Sequence, residues 1–199
     1  MIERTLVLIK PDGVKRSLSG EIISRFEKTG LKIIGLKMVH IDKEFAKKHY
    51  PESIVPRIGE NTMRDYTDMG MTTKDSKEAV GKKAWETLLN FITEGPIIAM
   101  VLEGVHAIEV VRKITGVTSP NKAQPGTIRG DFTSISMGYA TYRNFGGRNL
   151  IHASGNKDEA KQEIKLWFKD NELHTFKSVH DEHVLWILKA GDKKIWWKI

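Results

Sequence analysis

Cysteine is absent from all 199 residues. That excludes disulfides and thiolate metal sites, and it is compatible with a reducing compartment such as the cytoplasm. Long apolar runs are missing too: no stretch approaches the ~20 residues that a membrane-spanning helix needs, so no membrane partner is expected. A secretory leader is not expected either, because Glu3, Arg4 and Lys10 interrupt the first ten residues. A P-loop is lacking: Gly30 and Gly35 have the right separation, but Leu36 and Lys37 stand where Lys and Ser or Thr are required. No G-x-G-x-x-G occurs. Any phosphate handling must therefore use other means. Without a low-complexity tract, an internal repeat or a Gly/Ser linker, the length fits one domain over 1–199.

Lys and Arg exceed Asp and Glu by 32 to 25, a formal net charge of +7. Such a balance favours polyanionic partners, although scattered lysines on helix faces account for most of the excess. The tail from Val184 to Ile199 carries Trp186, Trp196 and Trp197 around Gly191-Asp192, with several lysines. Large apolar residues flanking a tight turn favour a packed β-hairpin over a single-strand nucleic-acid platform. In His180-Asp181-Glu182-His183, the absence of cysteine and of H-E-x-x-H favours a structural role over a metal site.

Periodicity predicts a strand over 5–9, ending at Pro11-Asp12-Gly13, and a helix with Ile22, Ile23 and Phe26 inward, stopped near Gly30. A second strand runs over 31–41 and is interrupted by Gly35. A short helix after Asp42 ends at His49-Tyr50. Trp85, Leu88, Leu89 and Ile92 recur at helical spacing up to Gly95-Pro96. A strand over 97–102, a helix with Ile108, Val111 and Arg112, a short strand at Leu150-Ile151 and a helix begun by Asn156 and Glu159 complete the order β-α-β-α-β-α-β-α. Helices packed on a small sheet, an α+β sandwich with a ferredoxin-like βαββαβ core, fit this order. A doubly wound parallel sheet is the competing architecture. Residues of about 57–83 and 133–147 read as polar, loop-like surface insertions.

The chemistry concentrates late in the chain. His152 follows two apolar residues and precedes a polar turn, so its imidazole is held where a strand meets a loop rim. A neutral ring nitrogen in such a place suits nucleophilic catalysis. The segment Gly116 to Phe132 is long and polar, and it carries Thr118, Lys122 and Arg129. Lys10 closes the first strand, Arg112 lies on a helix face and Tyr50 ends a helix. Taken singly, each has a bland reading as a solvated cation, a surface ion pair or packing. Together they offer cations, two hydroxyls and a histidine, the parts an in-line phosphoryl transfer uses.

The segments E-R-T-L-V-L-I-K-P-D-G-V-K-R, G-P-I-I-A-M-V-L-E-G, P-G-T-I-R-G-D-F and N-L-I-H-A-S with E-I-K-L-W-F after it resemble those of the nucleoside diphosphate kinase family. The likeness spans most of Met1 to about Val184 outside the two insertions. It implies a ferredoxin-like fold with an antiparallel four-stranded sheet covered by helices, and a ping-pong transfer between ATP or another triphosphate and a nucleoside diphosphate. His152 would carry the phosphoryl group on Nδ1, with Glu163 bonded to the other ring nitrogen and Ser154, beside the histidine, among the nucleotide contacts. Lys10 and Asn149 correspond to contacts to the sugar hydroxyls, Lys10 also reaching phosphate. Arg112, Thr118 and Arg129 correspond to the phosphate clamp, and Tyr50 to a tyrosine near the nucleophile. Mg²⁺ is implied, held mainly by phosphates and water, with Glu52 near it. A homo-oligomer, usually a hexamer, is implied as well, with the 116–132 loop at subunit contacts.

The chain departs from the family at two places. Gly155 replaces an Asp after H-A-S, and Asn156 is expected to take over the helix cap. The family's base-stacking Phe falls near Ala84 and Trp85, opposite Gly146. Trp85 or Phe145 is the expected replacement surface for the base.

Overall fold

The computed structural model describes residues 2–183. The hairpin expected over 184–199 lies outside them. The elements follow in the order β1 (Ile2–Ile9), α1 (Pro11–Lys15), α2 (Ser19–Glu27), β2 (Lys32–Val39), α3 (Lys43–His49), α4 (Val55–Asp68), α5 (Lys77–Ile92), β3 (Ile97–Val105), α6 (Ala107–Thr115), α7 (Ile128–Phe132), α8 (Met137–Tyr142), β4 (Ile151–Ala153), α9 (Lys157–Trp167) and α10 (Val179–His183).

The sheet order is β2-β3-β1-β4. Every neighbouring pair is antiparallel, which removes the doubly wound alternative. Strand β1 lies inside the sheet and is covered on both faces, which is why Leu6-Val7-Leu8-Ile9 is a continuous apolar run. Successive side chains point to opposite faces. Leu6 and Leu8 enter a core with Trp85, Leu89, Ile92, Trp167 and Phe168, supplied by α5 and α9. Val7 and Ile9 enter a second core with Ile22, Phe26, Val111, Ile128 and Leu150, supplied by α2, α6 and α7. The register sets Leu8 opposite His152, so the candidate nucleophile is fixed to the buried half of β1.

Helix starts follow local capping chemistry. Asp42 accepts from the Phe45 N–H at 2.7 Å, and Ser76 accepts from Ala79 N–H at 3.2 Å. Asn156 accepts from Glu159 N–H at 2.9 Å, so it caps α9 as expected, while the Glu159 carboxylate accepts from Gly155 N–H at 2.9 Å.

Two stretches expected to be loop-like contain helices. Residues 57–83 fold as most of α4 and the start of α5, and 133–147 contain α8. Two glycines in the first of them serve close helix contact. A Cβ on Gly59 would lie 2.4 Å from the Lys77 carbonyl oxygen, and one on Gly81 would lie 2.6 Å from that of Val55. The two helices approach backbone to backbone, which only glycine permits.

Candidate active site

The chain enters β4 through a turn that L-residues avoid. Leu150 has φ 68°, and Ile151 N–H donates to the Asn149 carbonyl at 2.8 Å, closing a three-residue turn. Such a backbone costs ~1–3 kcal/mol and persists only where its surroundings enforce it. Here they do. Leu150 is fully buried, its N–H donates to Asp12 Oδ2 at 3.0 Å and its carbonyl accepts from Lys10 N–H at 2.8 Å. Arg129 reaches across from α7, its Nε donating to Asn149 O at 3.2 Å and Nη2 to Ile151 O at 2.6 Å, while Nη1 donates to Gly116 O at 2.8 Å. Asn149 and His152 therefore flank one constrained turn. Neither Asp12 nor the strain at Leu150 was identifiable as part of the site from sequence: Pro11-Asp12-Gly13 reads as an ordinary turn.

Lys10 directly follows β1 and is 4% exposed, so it is not a solvated flank of a turn. Its Nζ donates to Asn149 Oδ1 at 2.8 Å, and Asn149 Nδ2 donates to the Thr118 carbonyl at 2.8 Å. Burial, followed by the nearby Arg129 charge, lowers the Lys10 ammonium to about 7. Burial lowers Arg129 to about 10, so it remains a cation at neutral pH. Its backbone contacts leave two of the five guanidinium N–H donors for a ligand. Arg112, in the last turn of α6, is exposed, as is Thr118, and the Arg112 charge acts on Arg129. These side chains form a cationic, hydroxyl-bearing rim beside a buried Lys–Asn pair.

His152 projects from β4 and Glu163 from α9. His152 Nε2 lies 2.9 Å from Glu163 Oε1, and the second carboxylate oxygen accepts from Ser154 Oγ at 2.6 Å. A carboxylate at Nε2 holds the proton there and leaves the Nδ1 lone pair in the ring plane available. Ser154 Oγ also accepts from Leu6 N–H at 3.2 Å, and Ser154 is fully buried. It therefore fixes Glu163 from behind. The expected nucleotide contact for Ser154 is corrected accordingly: no surface of it faces a ligand.

His49, the last residue of α3, stands against the nucleophile. Its ring meets that of His152 edge-on, with centroids 4.5 Å apart. Trp167 Nε1 donates to His49 Nδ1 at 3.3 Å, so Nε2 carries the His49 proton, buried without a partner. Burial, with the neighbouring His152 and Lys10, holds its pKa well below the ordinary histidine value. A neutral wall thus backs the nucleophile. Tyr50 stands 5.9 Å from His152 between ring centroids, and burial raises its phenol, which stays protonated.

Trp85 does not offer a face to a base. It is 8% exposed, lies in the core cluster of α5 and α9, and donates its Nε1 proton to the Tyr50 carbonyl at 2.8 Å. The helical spacing of apolar residues identified the element but not which of them face inward. Gly146 is packed on α5, where a Cβ would lie 2.5 Å from that of Phe91. Phe145, half-buried, packs edge-on to Tyr139. Glu52 is exposed at the start of a 3₁₀ turn, close in sequence to Tyr50.

An antiparallel β2-β3-β1-β4 sheet carrying a carboxylate-oriented histidine beside buried and exposed cations defines a ferredoxin-like phosphotransferase. The sequence model of the family described as nucleoside diphosphate kinase matches residues 3–72 and 63–173. The nucleoside diphosphate kinase of Pyrococcus furiosus is 46% identical over 175 residues, 88% of each chain. Among solved structures, an NDP kinase from Pyrobaculum aerophilum matches with TM-score 0.81 and 40% identity, covering 88% of this chain and 100% of that one. A transition-state mimic of the Borrelia burgdorferi nucleoside-diphosphate kinase with bound vanadate and ADP matches with TM-score 0.77 and 41% identity, covering 90% and 95%. The chain belongs to the nucleoside diphosphate kinase family. It is a phosphotransferase that converts ATP and a nucleoside diphosphate into ADP and the corresponding triphosphate.

Proposed function

We propose that His152 carries the phosphoryl group between the two half-reactions. The observation behind this is the 2.9 Å contact of His152 Nε2 with Glu163, which leaves Nδ1 as the nucleophilic nitrogen. The Nδ1 lone pair attacks the γ-phosphorus, the bond to the bridging oxygen breaks, and its electron pair leaves with the nucleoside diphosphate. The ring gains positive character as the P–N bond forms, and Glu163 stabilises it without moving the Nε2 proton. An acceptor diphosphate then reverses the step with its own terminal oxygen. Little covalent help is needed beyond the nucleophile; positioning and charge do the rest.

Lys10 and Asn149 contact the sugar and the adjoining phosphate. Arg112, Thr118 and the two remaining Arg129 donors clamp the nonbridging oxygens. Tyr50 offers its phenolic proton near the transferred group. Ser154 and His49 position the Glu163–His152 pair. Vanadate with ADP, as in the Borrelia burgdorferi structure, is the mimic expected for such an in-line transfer.

Mg²⁺ fits the donor set as a phosphate-held ion. The compact trio of His49, His152 and Glu163, with ligand atoms within 4.8 Å of one another, is nitrogen-rich and wrong in kind for a cation that takes oxygen ligands. The exposed carboxylate of Glu52 suits a water of the ion. When bound, Mg²⁺ would neutralise phosphate charge. Assembly as a homo-hexamer, and a cytoplasmic location, complete the reading. Among the described residues, no helix is long and apolar enough to cross a membrane.

The test is incubation with γ-labelled ATP. Wild-type protein should acquire acid-labile, base-stable label, and His152→Ala should acquire none and lose turnover of every diphosphate acceptor. Equal labelling of the variant would sink the assignment. Binding of ATP without any turnover of a second diphosphate would point instead to a non-catalytic nucleotide-binding member.

A further inference from the structure

The loop that carries Thr118 is held from both sides. On one side Asn149 Nδ2 donates to the Thr118 carbonyl at 2.8 Å. On the other lies Asp65 of α4, 7% exposed and more than fifty residues away in sequence. Its Oδ1 accepts from Lys122 Nζ at 3.0 Å, and its Oδ2 accepts from Gly138 N–H at 3.0 Å and lies 3.1 Å from Ser119 Oγ. The single Ser119 proton is shared between Asp65 and Asn121 Oδ1, 2.9 Å away, while Ser119 Oγ accepts from Met137 N–H at 3.1 Å. Lys122 also pairs with Asp68, one turn further along α4.

One buried carboxylate thus ties three separate segments together: α4, the loop over 118–122 and the N-terminus of α8. The approach is close enough that a Cβ on Gly138 would lie 2.6 Å from the Asp65 Cβ. A carboxylate with charged and backbone donors is a strong restraint, and an amide in its place loses the ionic part. Asp65 touches none of the groups proposed to react. Its nearest link to them runs through one residue, Ser119, to Thr118.

We propose that Asp65 is a positioning residue for the triphosphate: by holding Ser119 and Lys122, it presents Thr118 and its loop to the phosphates. The two segments that read as surface insertions would then complete the phosphate-binding loop. This rests on the proposed role of Thr118 in the phosphate clamp. Because the restraint acts on the phosphate loop, its loss should weaken every nucleoside triphosphate alike. Because His152 belongs to β4 and Glu163 to α9, the chemical step should be spared.

The experiment is single-turnover phosphorylation of His152 in the full chain at varied ATP, GTP and CTP. Asp65→Asn should raise the half-saturating concentration about tenfold for all three, with the limiting rate changed less than about twofold, as expected for loss of a charge-assisted contact. Ser119→Ala should move the same quantity in the same direction, and the double variant should fall short of the product of the two. If Asp65→Asn does not fold, Ser119→Ala and Lys122→Met carry the measurement. An unchanged half-saturation, a fall confined to the limiting rate, or an effect on one base only would overturn the proposal. Absence of label on wild-type His152 would instead overturn the proposed function itself.

Discussion

At the scale of single residues, the site is built from ionisable groups kept away from water. Lys10 is the extreme case: burial brings its ammonium down to about 7, against 10.5 for a free lysine. Without nucleotide, most Lys10 side chains are neutral at pH 8. A phosphate within reach favours the charged form and returns the amine toward its ordinary value. Nucleotide binding at pH 8 should therefore take up close to one proton per site, and much less at pH 6, where the amine is already charged. Calorimetry of ATP binding in buffers of different ionisation enthalpy measures this directly. Lys10→Met should abolish the uptake. The same shift makes stability depend on pH: between about 7 and 10.5 the unfolded chain binds the extra proton, so this residue's contribution rises with pH through that window.

At the scale of elements, α4 and α5 illustrate what a sequence hides. Glycine in a helix ordinarily costs ~1 kcal/mol relative to alanine, so Gly59 and Gly81 weaken the helical signal of their own segments. The reason for them is a contact between helices, which no local pattern records. Gly59→Ala gains helix propensity but drives a Cβ to 2.4 Å from a backbone oxygen that has no rotamer to escape into. Overpacking of this kind costs ~1–3 kcal/mol, so the clash should win and the melting temperature should fall by several degrees. Gly20, in the first turn of α2, has nothing within 4 Å of a built Cβ. Gly20→Ala should leave the melting temperature unchanged or raise it slightly. Thermal unfolding of the two variants side by side separates packing from propensity, and equal shifts would refute the helix-contact account.

The same distinction explains how much of the site was legible. His152, Lys10 and Asn149 stand in ordered local motifs, and the structure brings them to one turn. Glu163 was reachable because it stands in the E-I-K-L-W-F segment that resembles the family's, on the same helix as Trp167. Trp85 stands on the expected helix but faces the core, and Ser154, just past β4, turns its hydroxyl inward, since spacing fixes a period and not the direction of the core. Asp12, Asp65 and His49 act through partners 54 to 138 residues away, as in the contact of Trp167 with His49, where the separation is 118. Nothing in the local sequence distinguishes such a residue from a turn former, a solvated acid or a packed ring.

At the scale of the molecule, the remaining question is what covers the sheet edge. Strand β2 is the outer strand of the order β2-β3-β1-β4 on the side away from β4. It exposes Leu36 at 52% and Met38 at 61% on the same strand face. An apolar edge of this kind is normally paired or blocked by charge. In the proposed hexamer a second copy supplies the cover. Light scattering on the eluting protein should then give a mass about six times the 22.6 kDa of one chain. Leu36→Glu combined with Met38→Glu places like charges on this edge and should lower that mass. The groups proposed to react, from Lys10 and Thr118 to His152 and Glu163, all belong to one chain. The smaller species should therefore still take label from γ-labelled ATP. A double variant of unchanged mass would exclude this edge from the subunit contact. Loss of mass together with loss of label, while circular dichroism shows the fold intact, would mean that the site needs its neighbour after all.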